Sequence, residues 1–512
     1  MPEERLPRLS ERALGELGAR VRVPDYSRAD LSVGIVHIGA GAFHRAHQAR
    51  YLDEYFRRSG DQRWAICDAG LLAGDQVLRD RMVAQDCLYT HIAKAAAGER
   101  DEAIVGSVVE YLWADSDRER LMDRLAAPET KIVSLTITEG GYSIRADSGE
   151  FEATPAVLAD LRKDAPPHTV FGVLTHALLR RRACGADPFT VVSCDNIQRN
   201  GEVARLALAT FADLMQPGFG EWIRDHVAFP ASMVDRITPA ATDGDVAELE
   251  ARLGYLDRCP VVCESFTQWV VEDNFPSGRP ALEDVGVQFV ADAEPYERLK
   301  LSMLNGSHQV IGFLGSAAGY EVVHEAVADP ELRRAVRAYM EEARAALGDL
   351  PGVDVVSYGD DIVQRFHNEA IVDPLERLCA FASDRIPKFV LPVVRANAGS
   401  PVRIRMCALT VACWAWSWQR RVEGGTTAKG LDNRAAELAA AAGSLRDDPA
   451  FFLRANEEVF GEVVDDADFV ALFRVAFRAL ATGDVRSAVR SLLDVAPSEL
   501  GESMRPREER AR

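Results

Sequence analysis

A short apolar run that ends in two glycines constrains this chain more than any other feature. Residues 33–38 have the length of a buried strand, and the glycines follow at once, before apolar residues spaced three to four apart. Glycines between a strand and a helix allow a tight turn and a close approach to a pyrophosphate. The pattern predicts a dinucleotide site at Gly39, Gly41, Phe43 and His44. Because His44 stands where a third glycine is usual, an ordinary strand–helix turn is the alternative.

Strand-like runs alternate with helical stretches over roughly the first 280 residues. These further runs are 64–67, 104–112, 132–137, 190–193, 232–234 and 260–264. Such alternation predicts an α/β domain whose mostly parallel sheet is covered on both faces. Beyond residue 285 helical periodicity dominates. We therefore expect a first domain at 1–285, a mainly α-helical second domain at 286–500 and a disordered tail at 501–512.

Charge and composition exclude several classes of function. The 512 residues include 79 acidic and 59 basic side chains, and a surface this acidic disfavours nucleic-acid binding. The longest apolar stretch, 407–418, is well short of the roughly 20 residues that span a bilayer, and no secretory signal is recognisable. Nine cysteines without a Cys-x-x-Cys pair indicate reduced thiols. We expect a cytoplasmic protein without a membrane or nucleic-acid partner; the oligomeric state stays open, with a monomer favoured.

Polar side chains follow three of the predicted strands. Asp68 closes the second strand, where a carboxylate accepts hydrogen bonds from a ribose and favours NAD over NADP; Asp75 is the weaker competitor. Glu139 follows a third strand, and Asp195 with Asn196 ends another. Ligands of open α/β sheets bind at the carboxyl ends of strands, so we expect these side chains near a ligand. Capping of the next helix explains each of them as well.

A second polar cluster lies in residues 295–308. On one α-helix, Glu297, Lys300, Asn305 and His308 fall within an arc of about 140° that also holds apolar residues. An amine among apolar groups is pushed toward the neutral form of a general base, and an amide donates to an oxyanion. The alternative is a surface helix with a Lys–Glu pair. Tyr296 and Lys300 also have the Tyr-x-x-x-Lys spacing of short-chain dehydrogenases, which we interpret as chance because it falls outside the nucleotide domain.

Metal chemistry has no matching motif in the chain. Neither a His-Glu-x-x-His sequence nor a Cys/His quartet with zinc spacing occurs. The pair His44-x-x-His47 lies in a strand-to-helix setting that suits a phosphate turn better. We therefore expect no metal site.

Together these segments resemble the polyol-specific long-chain dehydrogenases, the mannitol 2-dehydrogenase family, which also includes arabinitol and uronate oxidoreductases. The matching segments run in the family's order and are 38–50, 134–143, 192–202, 233–240, 264–276, 295–309, 365–369 and 386–393. The Lys-x4-Asn-x2-His spacing at Lys300, Asn305 and His308 is the most specific of them.

The resemblance implies a Rossmann-type NAD-binding domain, a helical catalytic domain and metal-free hydride transfer from a sugar alcohol. It also implies residue roles: Lys300 as general base, Asn196 and Asn305 at the oxyanion, His308 orienting the substrate, Asp235 and Arg377 at its other hydroxyls, and Glu297 relaying the proton.

One departure from the family bears on the substrate. Arg385 stands in Ser-Asp-Arg-Ile-Pro, where the family commonly has a substrate-facing lysine, and the two side chains differ in reach and fork geometry. Asn368-Glu369 also replaces a usual Asn-Pro. The prediction is NAD-dependent oxidation of mannitol, arabinitol or sorbitol to the ketose. The alternatives are a fructuronate or tagaturonate reductase of the same family, in which Arg385 supplies the cation, and a catalytically silent NAD-binding protein.

Overall fold

The computed structural model describes residues 6–96, 98–145, 149–162, 166–350, 353–425 and 431–494. They fall into two compact units, one ending at Glu297 and the other beginning at Arg298. The division into domains at 1–285 and 286–500 stays a prediction, since compactness alone does not show which segment folds independently. The tail at 501–512, predicted to be disordered, lies outside the described residues.

The first unit is built around a parallel sheet. Its described strands are β1 (Val33–Ile38), β2 (Ala65–Gly70), β3 (Tyr89–Lys94), β4 (Arg100–Val105), β5 (Val108–Trp113), β6 (Ile132–Leu135), β7 (Thr190–Ser193), β8 (Ser232–Asp235), β9 (Val261–Glu264), β10 (Gln268–Glu272) and β11 (Gln288–Val290). Five of them form a sheet in the order β5-β2-β1-β6-β7, and every neighbouring pair is parallel. Counted along the chain this order is 3-2-1-4-5, which is the doubly wound topology. The predicted Rossmann-type fold is confirmed, and its switch point lies at the carboxyl ends of β1 and β6.

Helices connect the strands of the first unit. They are α1 (Leu14–Leu17), α2 (Ala42–Ala46), α3 (Gln48–Ser59), α4 (Asp75–Val83), α5 (Ala114–Ala126), α6 (Pro155–Asp160), α7 (Val170–Ala183), α8 (Asn200–Met215), α9 (Phe219–His226) and α10 (Asp243–Leu253), while α11 (Glu294–Leu299) contains the boundary between the units. Successive residues of β1 enter two different cores: Ile35 packs on one face of the sheet, and Val36 on the other. A strand buried on both faces reads as a continuous apolar run, which explains why the sequence pattern of β1 was clear.

Two small sheets complete the first unit. One has the order β11-β10-β8 and the other β4-β3-β9. The prediction of a single strand at 104–112 is wrong, because these residues are divided between β4 and β5, which belong to different sheets. At the break, the Asp53 carboxylate accepts the N–H of Gly106 at 3.0 Å, and Arg28 Nε donates to the Gly106 carbonyl at 3.0 Å. These side chains satisfy backbone groups that a continuous strand would pair with a neighbour.

The second unit is helical. A π-helix (Lys300–Asn305) is followed by α12 (Gly306–Ala318), α13 (Val323–Ala328), α14 (Pro330–Leu347), α15 (Val355–Phe366), α16 (Leu375–Cys379), α17 (Ala382–Phe389), α18 (Leu391–Ala396), α19 (Arg405–Glu423), α20 (Ala435–Ala442), α21 (Phe451–Ala455), α22 (Glu457–Phe460), α23 (Ala467–Thr482) and α24 (Val485–Leu493). The described residues after Arg298 contain no strand, and the predicted mainly α-helical C-terminal region is confirmed. The apolar stretch 407–418 lies within α19, most of it in the core. Within the described ranges, we find no helix with the length and apolar character needed to cross a membrane.

Candidate active site

The glycine turn after β1 is closed by contacts to two neighbouring strands. Gly39 has φ +97°, and a Cβ there would lie 2.1 Å from the carbonyl oxygen of Thr136. The N–H of Gly39 donates to the Ala69 carbonyl at 3.2 Å, and Thr136 Oγ1 donates to the Gly39 carbonyl at 2.7 Å. Only glycine tolerates both this backbone conformation and this approach. The turn therefore joins the carboxyl ends of β1, β2 and β6.

Gly41, two residues on, faces open space. A Cβ at this position would meet only the carbonyl oxygen of Gly39, at 3.8 Å. The helix α2 that follows has five residues and ends at His47, where φ −117° and ψ −88° break the path before α3. The Phe43 ring in α2 stacks on His47 with centroids 5.0 Å apart. The uncrowded backbone at Gly41 suits the close approach of a pyrophosphate.

Asp68 lies within β2 and does not close it. The strand continues to Gly70, so the prediction that Asp68 ends it is wrong. The Asp68 carboxyl is fully buried, and its Oδ1 lies 3.1 Å from Nε2 of the equally buried His44. Burial raises the pKa of Asp68 to about 7 and lowers the pKa of His44 to about 3, because each charged form loses its water. Neither side chain has exposed surface for a ribose to contact, whereas Asp75, at the start of α4, follows the true end of the strand and accepts the N–H of Leu72 at 2.8 Å.

His37, which the sequence pattern did not single out, links this buried pair to the glycine turn. Its ring stacks on His44 with centroids 3.4 Å apart and an interplanar angle of 7°. Its two nitrogens lie 2.9 Å from the hydroxyls of Ser134 and Thr136. Burial, and then the neighbouring His44, lower the pKa of His37 well below its usual range. The available signal was a histidine inside an otherwise apolar strand.

Asp195 organises the turn that follows β6. Its carboxylate accepts the N–H groups of residues 137 and 138 at 3.0 and 2.8 Å and the hydroxyl of Tyr142 at 2.7 Å. These bonds engage the carboxylate within the protein, which resembles the capping alternative. Glu139 is exposed on the same turn, and Asn196 is exposed directly after Asp195. Asp195 therefore holds the turn through hydrogen bonds, whereas Glu139 and Asn196 are exposed.

Two further predicted residues of the first unit have fixed positions. Asp235 is the last residue of β8 and is buried. Glu297 lies in α11, where its two carboxylate oxygens accept the N–H of Arg199 at 3.0 and 3.1 Å. Arg199 precedes α8 and has φ +54°. The Glu297 carboxylate is therefore bound to the turn that begins α8.

Lys300 and Asn305 occupy the two ends of the π-helix, and each is 8% exposed. The expectation of one continuous α-helix over 295–308 is wrong. The N–H of Gly306 donates to the carbonyl of Leu301, five residues earlier. In an α-helix of about 3.6 residues per turn, residues five apart point about 140° apart. In a π-helix they are hydrogen-bonded across one turn, so Lys300 and Asn305 lie on adjacent turns of the same face.

A tyrosine hydroxyl supports this wide turn. Tyr339 Oη lies 3.0 Å from the carbonyl oxygen of Ser302 and 3.1 Å from that of Phe389. A Cβ at Gly306 would lie 1.8 Å from the same hydroxyl. A polar group inserted beside the helical hydrogen bonds is a recognised cause of local distortion. Tyr339 comes from α14, so residues 295–308 alone could not indicate the π-helix.

His308 lies in the first turn of α12 among cations. Its ring stacks on Phe366 at 4.7 Å, and its buried Nε2 has no hydrogen-bond partner among the described residues. Burial and several positive charges lower the pKa of His308 well below its usual range, which keeps the ring neutral. In order of effect these charges are Arg377, Arg365, Lys300 and Arg385. Arg365, which we had not predicted as a site residue, lies in the matching segment 365–369.

The two predicted arginines of this cluster have defined partners. Arg377 Nε and Nη2 donate to the Asp373 carboxylate at 2.7 and 2.6 Å. Arg385 Nη1 donates to the carbonyls of Arg377 and Leu378 at 2.8 and 3.2 Å, at the end of α16. Asp373 was missed, although its spacing of four residues from Arg377 is a signal for an ion pair. Among the described residues, no group of three or more His, Cys, Asp or Glu side chains is arranged to hold a metal ion.

Comparison with known proteins identifies the family. The model of the mannitol dehydrogenase Rossmann domain matches residues 33–284, and that of the mannitol dehydrogenase C-terminal domain matches residues 292–481. The chain belongs to the mannitol dehydrogenase family. The predicted resemblance is confirmed. The mannitol 2-dehydrogenase of Aspergillus fumigatus is 39% identical over 486 residues, which cover 93% of this chain and 97% of that protein. Mannitol dehydrogenase 2 of Saccharomyces cerevisiae is 38% identical over 490 residues, which cover 95% and 97%.

Two solved structures share the fold. The Pseudomonas fluorescens mannitol 2-dehydrogenase in ternary complex with NAD and D-mannitol matches with a TM-score of 0.86 and 40% identity, over 96% of this chain and all of that one. A D-sorbitol dehydrogenase in substrate-free form matches with a TM-score of 0.85 and 33% identity, over 94% of this chain and all of that one. Both matches extend over nearly the whole chain.

Proposed function

We propose that this mannitol dehydrogenase family member oxidises a secondary hydroxyl of mannitol, arabinitol or sorbitol to the ketose, with Lys300 as general base. One observation carries the proposal: Lys300 and Asn305 lie buried on one face of a π-turn directly ahead of a neutral His308. At the level of enzyme class and cofactor the sequence prediction is confirmed, and the chain is an NAD-dependent polyol dehydrogenase.

The first unit fits NAD. The glycine turn lies at the switch point of a doubly wound sheet, and the missing Cβ at Gly41 leaves backbone open to a phosphate group. We propose that Gly39, Gly41 and Phe43 hold the cofactor together with Glu139 on the turn after β6. In this proposal His44 does not touch the cofactor with an exposed surface. Together with Asp68 it supports the glycine turn from beneath. When bound, NAD accepts the hydride from the carbinol carbon.

Lys300 and the side-chain amides of Asn305 and Asn196 act on the oxygen of that carbinol. Lys300 Nζ takes the hydroxyl proton as the hydride leaves carbon, which turns the hydroxyl into a carbonyl. Asn305 and Asn196 donate N–H groups to the oxygen while it carries negative charge. A neutral His308 has one donor and one acceptor nitrogen, so it can orient the hydroxyl before the proton moves. Lys300 is only 8% exposed, so bulk water has little access to the proposed base.

The remaining proposed roles concern the rest of the substrate and the proton. Asp235, Arg377 and Arg385 bind the other hydroxyls of the polyol. Glu297, whose carboxylate is bound to the Arg199 N–H, accepts the proton from Lys300 and passes it to solvent. These roles follow from the family resemblance.

The uronate alternative needs a cation that pairs with a substrate carboxylate. Arg385 was the candidate, but its Nη1 donates to two backbone carbonyls at the end of α16. The other nearby arginine, Arg377, already pairs with Asp373. These contacts engage both arginines within the protein, which supports an uncharged polyol over a sugar acid.

The deciding experiment measures NADH formation with a panel of C4 to C6 polyols, D-mannonate and D-altronate, using NAD and NADP. We expect oxidation of at least one polyol with NAD, faster than oxidation of either acid. Lys300→Ala should lower kcat by about 10³-fold while the Kd of NAD stays within twofold. Lys131→Ala, which removes a lysine from the first unit, is the matched control and should keep full activity. Turnover retained in Lys300→Ala contradicts the general base, and a wild type that oxidises no polyol contradicts the function.

A further inference from the structure

The ion pair between Asp373 and Arg377 bears on the charge of the substrate. Arg377 Nε and Nη2 each bond one oxygen of the carboxylate, at 2.7 and 2.6 Å. Asp373 is 3% exposed, whereas 51% of the Arg377 side chain is exposed. The buried carboxylate thus holds one edge of the guanidinium, and the other edge faces outward.

In this ion pair Arg377 keeps N–H donors that Asp373 does not use, while the pair carries no net charge. A guanidinium has five N–H groups, of which Asp373 engages two. The remaining three can bond oxygen acceptors, yet the pair as a whole is neutral. A neutral hydroxyl oxygen gains full hydrogen bonds there. A substrate carboxylate at the same edge is attracted less strongly than by an unpaired guanidinium, because the Asp373 carboxylate on the far side repels it.

The backbone at and directly after Arg377 is held at two points. Arg385 Nη1 donates to the carbonyl of Arg377 itself at 2.8 Å. Gln309 Nε2, one residue after His308, donates to the carbonyl of Leu378 at 3.1 Å. These bonds fix the end of α16 against α12, beside the histidine on which Arg377 has the largest effect among the charges.

Resting on the function proposed above, we propose that Asp373 is a specificity-determining residue that neutralises Arg377 and so directs the site to uncharged polyols and against sugar acids. It touches no reacting atom in this account and acts through Arg377. Bidentate pairing with Asp373 reduces the attraction that Arg377 exerts on a substrate carboxylate and leaves N–H donors for hydroxyl groups.

Asp373→Asn tests this directly, because it keeps the size of the side chain and removes its charge. The measurement is the ratio of kcat/KM for D-mannonate to that for D-mannitol, with NAD. We expect the ratio to rise at least about tenfold. Asp360→Asn is the matched control, because it breaks an exposed pair with Arg337 in the same unit and should leave the ratio within twofold. In the double variant Asp373→Asn/Arg377→Gln the ratio should return to the wild-type value, because the guanidinium that had lost its partner is also removed.

Each outcome decides one point. An unchanged ratio in a folded Asp373→Asn variant that binds NAD overturns the specificity role and leaves the proposed function intact. A wild type that oxidises no polyol, or that prefers D-mannonate, contradicts the proposed function and this role with it. If Asp373→Asn does not fold, inhibition of the wild type decides: a Ki of D-mannonate at or below the KM of D-mannitol overturns the role, and a Ki at least about tenfold higher supports it.

Discussion

Lys300 and Asn305 lie five residues apart on the same face of a π-helix. In a regular α-helix the same spacing would point the two side chains about 140° apart. The amine and the amide that we assign to one substrate oxygen are therefore aligned by a local departure from α-helical geometry. Such departures are frequent at functional sites. Two of the predictions that follow test this turn.

Gly306→Ala should distort the π-turn. The added Cβ would lie 1.8 Å from Tyr339 Oη, so the tyrosine or the helix must move. We expect a loss of about 1–3 kcal/mol in the free energy of unfolding and at least a tenfold lower kcat, measured by urea denaturation and NADH formation. In Gly244→Ala, the matched control in α10, the new Cβ has room and should be neutral or stabilise by about 0.5–1 kcal/mol. Unchanged kcat in Gly306→Ala would argue against a catalytic need for this turn.

Tyr339→Phe should weaken the same turn from the other side. Without the hydroxyl, the carbonyls of Ser302 and Phe389 lose a hydrogen-bonding group in a buried place, which costs about 1–3 kcal/mol. We expect lower kcat as well as lower stability. Tyr320→Phe also removes a hydroxyl, one that lies 3.2 Å from Asp329, and should lower stability but leave kcat unchanged. Equal kinetic effects of the two variants would contradict the specific role of Tyr339.

Gly41→Ala should weaken cofactor binding without unfolding the protein. No protein atom lies within 3.8 Å of the new Cβ, and φ −99° is allowed for alanine. A pyrophosphate that approaches this backbone would meet the methyl group, so we expect the Kd of NAD to rise at least about tenfold, or 1.4 kcal/mol. Isothermal titration calorimetry measures the Kd, and thermal unfolding without NAD should be unchanged. Gly15→Ala, equally free of contacts, is the control. An unchanged Kd places the pyrophosphate elsewhere.

Asp68→Asn should alter how stability depends on pH. The pKa of Asp68 is about 7 when folded, raised by burial, but about 3.9 in an unfolded chain. Between these values the folded state holds a proton that the unfolded state has released. The contribution of Asp68 to wild-type stability therefore falls as pH rises from about 4 to about 7, by up to about 4 kcal/mol, and levels off above. An asparagine does not titrate.

The measurement is the free energy of unfolding of wild type and Asp68→Asn in urea, at several pH values from 5 to 8. The difference between them should shift in favour of the variant as pH rises. A difference that stays constant over this range contradicts a protonated, buried Asp68. The NAD to NADP preference should also change less than twofold, because the side chain has no exposed surface.

Local patterns in the sequence were sufficient for several elements. The helical periodicity beyond residue 285 includes α14, which has a proline at its first turn and Asp329 capping it. The strand at 33–38 is β1, because burial on both faces leaves a continuous apolar run. Each of these depends on residues near one another in the chain, which is the information a sequence pattern contains.

Long-range contacts explain the errors. The apolar run at 104–112 gave no sign that Asp53 and Arg28 would bind the backbone at Gly106 and divide it into two strands. Asp68 resembled the end of a strand because a carboxylate within a buried strand is rare. Its neighbour His44, 3.1 Å away, comes from α2. In each case the deciding partner is distant in sequence.

The sequence by itself determined the family, the two kinds of fold along the chain and the residue types available for chemistry, because the motifs are contiguous and their spacing is specific. Only the tertiary structure decided which of those side chains have exposed surface, that Lys300 and Asn305 share a face, and that Arg377 pairs with Asp373. The physical reason is that burial, helix distortion and ion pairing depend on neighbours brought together by folding. For the glycine turn after β1, sequence and tertiary structure each contributed. Its residues predicted a tight turn, and the close approach of Thr136 shows why Gly39 is required.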